Sequence, residues 1–298
     1  MNHLKSLLLS LLFFGVGFFV VDRAVAALGN WMFMHTNGRF DSGLRTIVKE
    51  QTAELLTMGS SRTNHHYAPK VLEDSLGMTV YNCGNDGQYD IYAHYAVLNL
   101  ILQRYTPKVV VLEVHDHIFD TNNMATWKNF IGENEVVDSL FRQAKIYNLY
   151  TNVQSYTYNT AWVRLLAGMV LNNSGTSQQG YFPLDNTVDP HLKLAKRDQY
   201  EESAEGADCL RRFIGLCKQR GIRLILCDSP FYDQVPRDYH RQVAQIAAEE
   251  SIPFLNYRAE GLWRDDPTKW KDASHLTGDA SIEYSRRFAH DIRQFLAK

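Results

Sequence analysis

The apolar positions of this chain fall into two regimes. From Ser6 to Val21 there is no charge, and Leu, Phe and Val leave no polar face. Such a run suits lipid better than the core of a small domain. At about 1.5 Å per residue it reaches ~24 Å, a little short of a bilayer core. Helical spacing continues past Arg23 through Val25, Leu28 and Met32. The pattern predicts a signal-anchor helix over 1–28 and a polar tether over 29–50. The small-x-small sequence Ala24-Val25-Ala26 supports the alternative, a cleaved secretory signal. Lys5 is the one Lys or Arg ahead of the run, which favours the N-terminus inside and an extracytoplasmic body, periplasmic or at the cell surface.

From residue 51 the second regime begins, in which short buried strands alternate with amphipathic helices. Apolar runs at 53–58, 78–81, 108–114, 222–227 and 252–255 read as strands. Helices are expected at 69–76 (closed by Gly77), 90–104, 198–220, 236–250 and 277–297. This order predicts a flavodoxin-like three-layer α/β/α domain over 51–298 with a mostly parallel sheet. Residues 118–197 break the rhythm. They are rich in Asn, Thr, Tyr and Gln, and too long for a plain loop, so an inserted cap with helices near 138–150 and 160–171 is expected.

Composition narrows the function classes. Of 298 residues, 31 are Lys or Arg and 33 Asp or Glu, a formal charge of -2 that does not suit a dedicated nucleic-acid binder. Cys83, Cys209, Cys217 and Cys227 lack zinc-site spacing and read as small buried hydrophobes, with one long-range disulfide left open.

Three loops at strand ends carry candidate chemistry. Gly59-Ser60-Ser61-Arg62 is a sharp strand-to-helix turn, the setting a nucleophilic serine needs, though Ser before a helix is also an ordinary cap. Asn82-Cys-Gly-Asn85-Asp-Gly87 has glycines that let backbone approach a ligand, and Gly87 has an N–H for an oxyanion. Asp272-Ala-Ser-His275 spaces a carboxylate to hold an imidazole. Arg62 is positioned either for an anionic substrate or for a surface ion pair. His115-Asp116-His117, with His65-His66 as the nearest further imidazoles, invites a metal reading, but the spacing supplies no third and fourth ligand, so no metal and no cofactor are expected.

Gly59-Ser60-Ser61, Asn82–Gly87 and Asp272–Leu276 together resemble three blocks of the SGNH (GDSL-like) hydrolase superfamily. The resemblance covers about residues 52–298, the insertion excepted. It implies Ser61 as nucleophile, His275 as general base and Asp272 as its orienting partner, with Ser61 and Gly87 N–H groups in the oxyanion hole. The family's third block supplies an Asn donor after strand three. Here that strand runs into Val114-His115-Asp116-His117, so His115, His117 or Asn85 replaces it, or the hole has two donors. A membrane-anchored chain with a Gly-Ser-Ser block is similar to the envelope branch that includes alginate O-acetylation and D-alanine transfer proteins. That implies esterase or O-acyltransferase chemistry on an envelope polysaccharide or other acylated polymer, with a membrane acyltransferase as a possible partner. The alternative is a catalytically weak carbohydrate-binding or scaffold protein of the same fold.

Overall fold

The structure, a computed structural model, describes residues 2–120, 124–171, 179–197 and 203–296. The chain divides into two compact units, Met1–Thr46 with Ala125–Gly175, and Ile47–Met124 with Thr176–Lys298.

The second unit is the α/β body. Its strands are β1 (Leu55–Gly59), β2 (Val80–Gly84), β3 (Val109–Glu113), β4 (Arg223–Asp228) and β5 (Phe254–Asn256). They form one parallel sheet in the order β2-β1-β3-β4-β5. Every residue of β1 and β3 is buried, which is why both read as continuous apolar runs rather than alternating ones. The register sets Gly59 beside Gly84 and Met58 beside Leu112, so three loops leave the sheet side by side at its carboxyl edge. The helices of this unit are α3 (Ser61–His66), α4 (Pro69–Leu76), α5 (Ile91–Ile101), α9 (Ala204–Gln219), α10 (Arg241–Glu249), α11 (Tyr257–Glu260) and α12 (Gly278–Leu296). Local chemistry fixes their ends. Pro69 opens α4 and Gly77, at φ 67°, closes it. The Asp90 carboxylate caps α5 by accepting the Ala93 N–H at 2.8 Å. Tyr67, Leu72, Tyr284, Phe288 and Ile292 fill the core beneath α4 and α12, while α5 packs on α9. The helix expected from 198 runs from Ala204 with Ser203 as its cap, and 198–202 lie outside the described residues.

The first unit contains α1 (Asn2–His35), α2 (Arg39–Arg45), α6 (Glu135–Gln143), α7 (Tyr147–Asn152) and α8 (Trp162–Val170). Among the described residues α1 alone is long and apolar enough to cross a membrane. Its 34 residues span about 51 Å and change character at Asp22. Residues 3–21 are exposed all round, whereas Asp22, Ala26, Gly29 and Phe33 form a buried stripe at helical spacing. A Cβ on Gly29 would come within 2.4 Å of the Tyr158 ring.

Two expectations about the domains are corrected. Residues 29–50 are not a polar tether: α1 continues to His35, α2 follows, and Thr46–Glu50 make a single π-type turn. Met32, Phe33, Leu44, Ile47 and Val48 are buried, and the polar residues between them hide that pattern in the sequence. Nor is 118–197 one cap, because its middle, Ala125–Gly175, clusters with the N-terminal segment while 179–197 returns to the body. Within it the helix expected at 138–150 is two, α6 and α7, divided at Lys145 (φ 59°). All four cysteines are buried and free.

Candidate active site

β1 ends where only glycine fits: a Cβ on Gly59 would lie 2.1 Å from Thr63 Oγ1 and 2.6 Å from Glu113 Cβ. The chain then turns sharply. Ser60 is buried at 2% exposure, and Ser61, half-buried, opens α3. The geometry thus distinguishes the two serines. The Ser61 hydroxyl lies 2.8 Å from His275 Nε2, across 214 residues of sequence. His275 Nδ1 lies 2.9 Å from Asp272 Oδ2 and 3.0 Å from Oδ1. A carboxylate facing Nδ1 assigns the ring proton there and leaves Nε2 to accept from Ser61. Asp272 Oδ1 also accepts the Ser274 and His275 N–H groups at 2.7 and 3.0 Å. Burial opposes its ionisation, but the His275 hydrogen bond and charge, with those N–H groups, hold the carboxyl below its usual range.

His66, at the far end of α3, grips the loop that carries His275. Its Nε2 accepts the Leu276 N–H at 3.1 Å, which assigns the proton to Nδ1. Nδ1–H donates to Ser229 Oγ at 3.0 Å, and Ser229 donates onward to Glu113 at 2.6 Å. Burial, reinforced by the charge of His275, keeps the His66 pKa well below the ordinary imidazole value. In the sequence the pair His65–His66 suggests only metal ligands. Ser229 and Glu113 gave no signal at all, since they matter through each other, 116 residues apart, and through other partners distant along the chain.

Arg62 is neither a substrate contact nor a surface pair. One position along α3 turns a side chain by about 100°, which sends Arg62 under the strand ends while Ser61 faces out. Its guanidinium, 1% exposed, pairs with Asp228 at 2.9 Å and Glu113 at 3.1 Å. Burial pushes the Glu113 carboxyl up despite the Arg62 charge. Asp228 stays below its usual value because Arg62 and His240 outweigh burial.

The loop after β2 lies against the turn that carries Ser61, with the Asn85 N–H on Gly59 O at 3.0 Å. Gly87, at φ 76°, is at its exposed tip. Asn85 Nδ2 is a buried donor without a hydrogen-bond partner among the described residues. His65 connects this loop to the imidazole of His275: its ring centroid is 5.3 Å from that of His275 and its Nε2 is 3.6 Å from Asp86.

After β3, His115 and His117 gather on Tyr89. Tyr89 stacks on His115 (centroids 5.0 Å, 17°), and His117 lies 5.1 Å from Tyr89 and 5.6 Å from His115. Asp116 turns the opposite way, onto the Arg258 guanidinium of α11. Tyr89 belongs to no motif, and nothing in its sequence neighbourhood signals the stack.

No protein-family model and no curated protein matches the chain. Among solved structures, the chain is similar to a catalytic mutant of an acetylxylan esterase from Geobacillus stearothermophilus, at 14% identity and TM-score 0.43, over 82% of this chain and 95% of that one. It is similar also to an acetyl xylan esterase at 13% identity and TM-score 0.41, over 81% and 99% of the two chains. Likeness of that depth carries no argument about this chain, whose fold and site rest on its own residues.

Proposed function

We propose that this chain is a serine esterase or O-acyltransferase acting on acyl esters of an extracytoplasmic glycan or related polymer. The observation that carries the proposal is the continuous Ser61–His275–Asp272 hydrogen-bonded relay on two loops at the carboxyl edge of the sheet. In the first half-reaction Ser61 Oγ attacks the ester carbonyl carbon as His275 Nε2 takes the hydroxyl proton. The tetrahedral oxyanion is received by the Ser61 N–H at the start of α3, with Gly87 of the β2 loop as second donor and the Asn85 amide as third. Collapse breaks the ester C–O bond, and the proton on His275 passes to the departing alcohol. The acyl group, now on Ser61, is then released to water or to an acceptor hydroxyl activated by the same imidazole. The apolar residues 3–21 of α1 support membrane attachment of the protein, with the body on the extracytoplasmic side, and a membrane acyltransferase is the kind of partner that would supply or receive the acyl group.

A small alkyl fluorophosphonate tests the proposal on the full chain in detergent micelles. Labelling is expected for the wild type and absent in Ser61→Ala of unchanged circular dichroism. Folded wild-type protein that takes no label would instead favour a binding or scaffold role.

A further inference from the structure

Two loops meet beyond the end of β1, and the rings they bring together form a second feature beside Ser61. In the sheet order β2-β1-β3, the β2 and β3 loops flank the nucleophile's turn on either side. They are joined by the Ile91 N–H on Ile118 O at 2.7 Å and by the Tyr89–His115 stack. Tyr89 is held between two buried anchors. Gln88 donates its N–H to Asn85 O and its amide to Asp90, which in turn caps α5. Its backbone is therefore fixed before any ligand arrives.

The polar atoms around these rings are also set. His115 Nδ1 accepts the His117 N–H at 3.2 Å, so its ring proton is on Nε2 as a donor. Burial, with the Arg62 charge behind it, pushes the His115 pKa down to about 3, so the ring is neutral at ordinary pH. His117, with 55% of its side chain exposed, holds the Asp120 carboxylate at 2.9 Å. The set offers flat ring surface, a neutral N–H donor and a carboxylate acceptor. With Arg62 sequestered beneath the strands and Asp116 committed to Arg258, neither of those charges is presented here.

That combination matches an uncharged polyhydroxylated ring, whose C–H face packs on aromatic carbon while its hydroxyls take hydrogen bonds. We infer that Tyr89, His115 and His117 form a subsite for the sugar ring adjoining the ester, making the substrate an acylated glycan rather than a lipid or protein ester. The inference rests on the esterase reading of Ser61, and its test separates the two.

Turnover of vinyl acetate, which has no ring to stack, is compared with that of O-acetylated cellotetraose and chitotetraose on the full chain. In Tyr89→Ala the ratio of saccharide-ester to vinyl-acetate kcat/KM is expected to fall about tenfold, the size of one lost aromatic contact. Tyr89→Phe, which keeps the ring, restores the ratio. An unchanged ratio in Tyr89→Ala overturns the subsite, as does an equal fall in Tyr89→Phe. Wild type that cleaves vinyl acetate but neither saccharide ester also overturns it. Absence of both turnover and fluorophosphonate labelling overturns the esterase reading beneath it.

Discussion

His66 joins the short helix that carries Ser61 to the loop that carries His275. α3 is six residues long, with Ser61 at its first position and His66 at its last. By accepting the Leu276 N–H, His66 ties this short rigid piece to the residue next to His275. Two substitutions separate its two hydrogen bonds. A glutamine places its amide oxygen where Nε2 stood and keeps the Leu276 contact, whereas an asparagine reaches only as far as Nδ1 and loses it. His66→Asn is expected to lower kcat for vinyl acetate by about a hundredfold with little change in KM, and His66→Gln by no more than about fivefold, because misplacing the base by an ångström is costly. Equal losses in both variants, tracking their melting temperatures, would reduce His66 to a packing residue.

At the scale of elements, α1 is one helix with two environments, and the boundary is a single carboxylate. Asp22 is 4% exposed and accepts the Gln154 N–H at 3.1 Å, the Ser155 N–H at 3.0 Å and the Ser155 hydroxyl at 2.6 Å. Cleavage after Ala26 would remove this anchor and part of the buried stripe. The mature protein is therefore expected to retain residues 1–26, measured as intact mass from membranes; an N-terminus at residue 27 would refute it. Asp22→Ala should lower the stability of this unit by about 1 kcal/mol, the loss of part-buried hydrogen bonds whose donors can turn to water, read as a lower melting temperature. The same elements show what a sequence can disclose. Gly77, the valine run of β3 and the Asp272–His275 spacing act on their own neighbours, so local pattern exposes them. The packing of residues 29–50 and the fate of Arg62 depend on partners distant along the chain. Asp228 is 166 residues from Arg62, and no spacing rule reaches that far.

For the α/β body as a whole, these choices have a consequence for acid stability. His66, His94 and His115 are all kept neutral: burial is the main cause in each, carrying His94 down to about 4 and His115 to about 3. In the unfolded chain each would take a proton near pH 6.5. Between about pH 6.5 and 4 the unfolded state thus binds more protons than the folded one, and stability must fall as pH falls, at up to about 1.4 kcal/mol per pH unit for each histidine. The carboxyls held low by partners, Asp116 and Asp272 among them, add a loss of the same sign only further down, once the unfolded groups protonate near pH 4. Glu113, raised by burial, works the other way, but one group does not reverse three. Melting of the full chain, followed by circular dichroism at constant ionic strength, should therefore drop by several degrees from pH 7 to pH 5, before carboxylate effects begin. His94→Leu removes one of the three sites without touching the Ser61 relay, and the dependence of its melting temperature on pH should be correspondingly flatter. A wild-type melting temperature that is level or rising across that window would mean that these histidines are charged in the folded protein, and the tautomers assigned to His66 and His115 would fall with it.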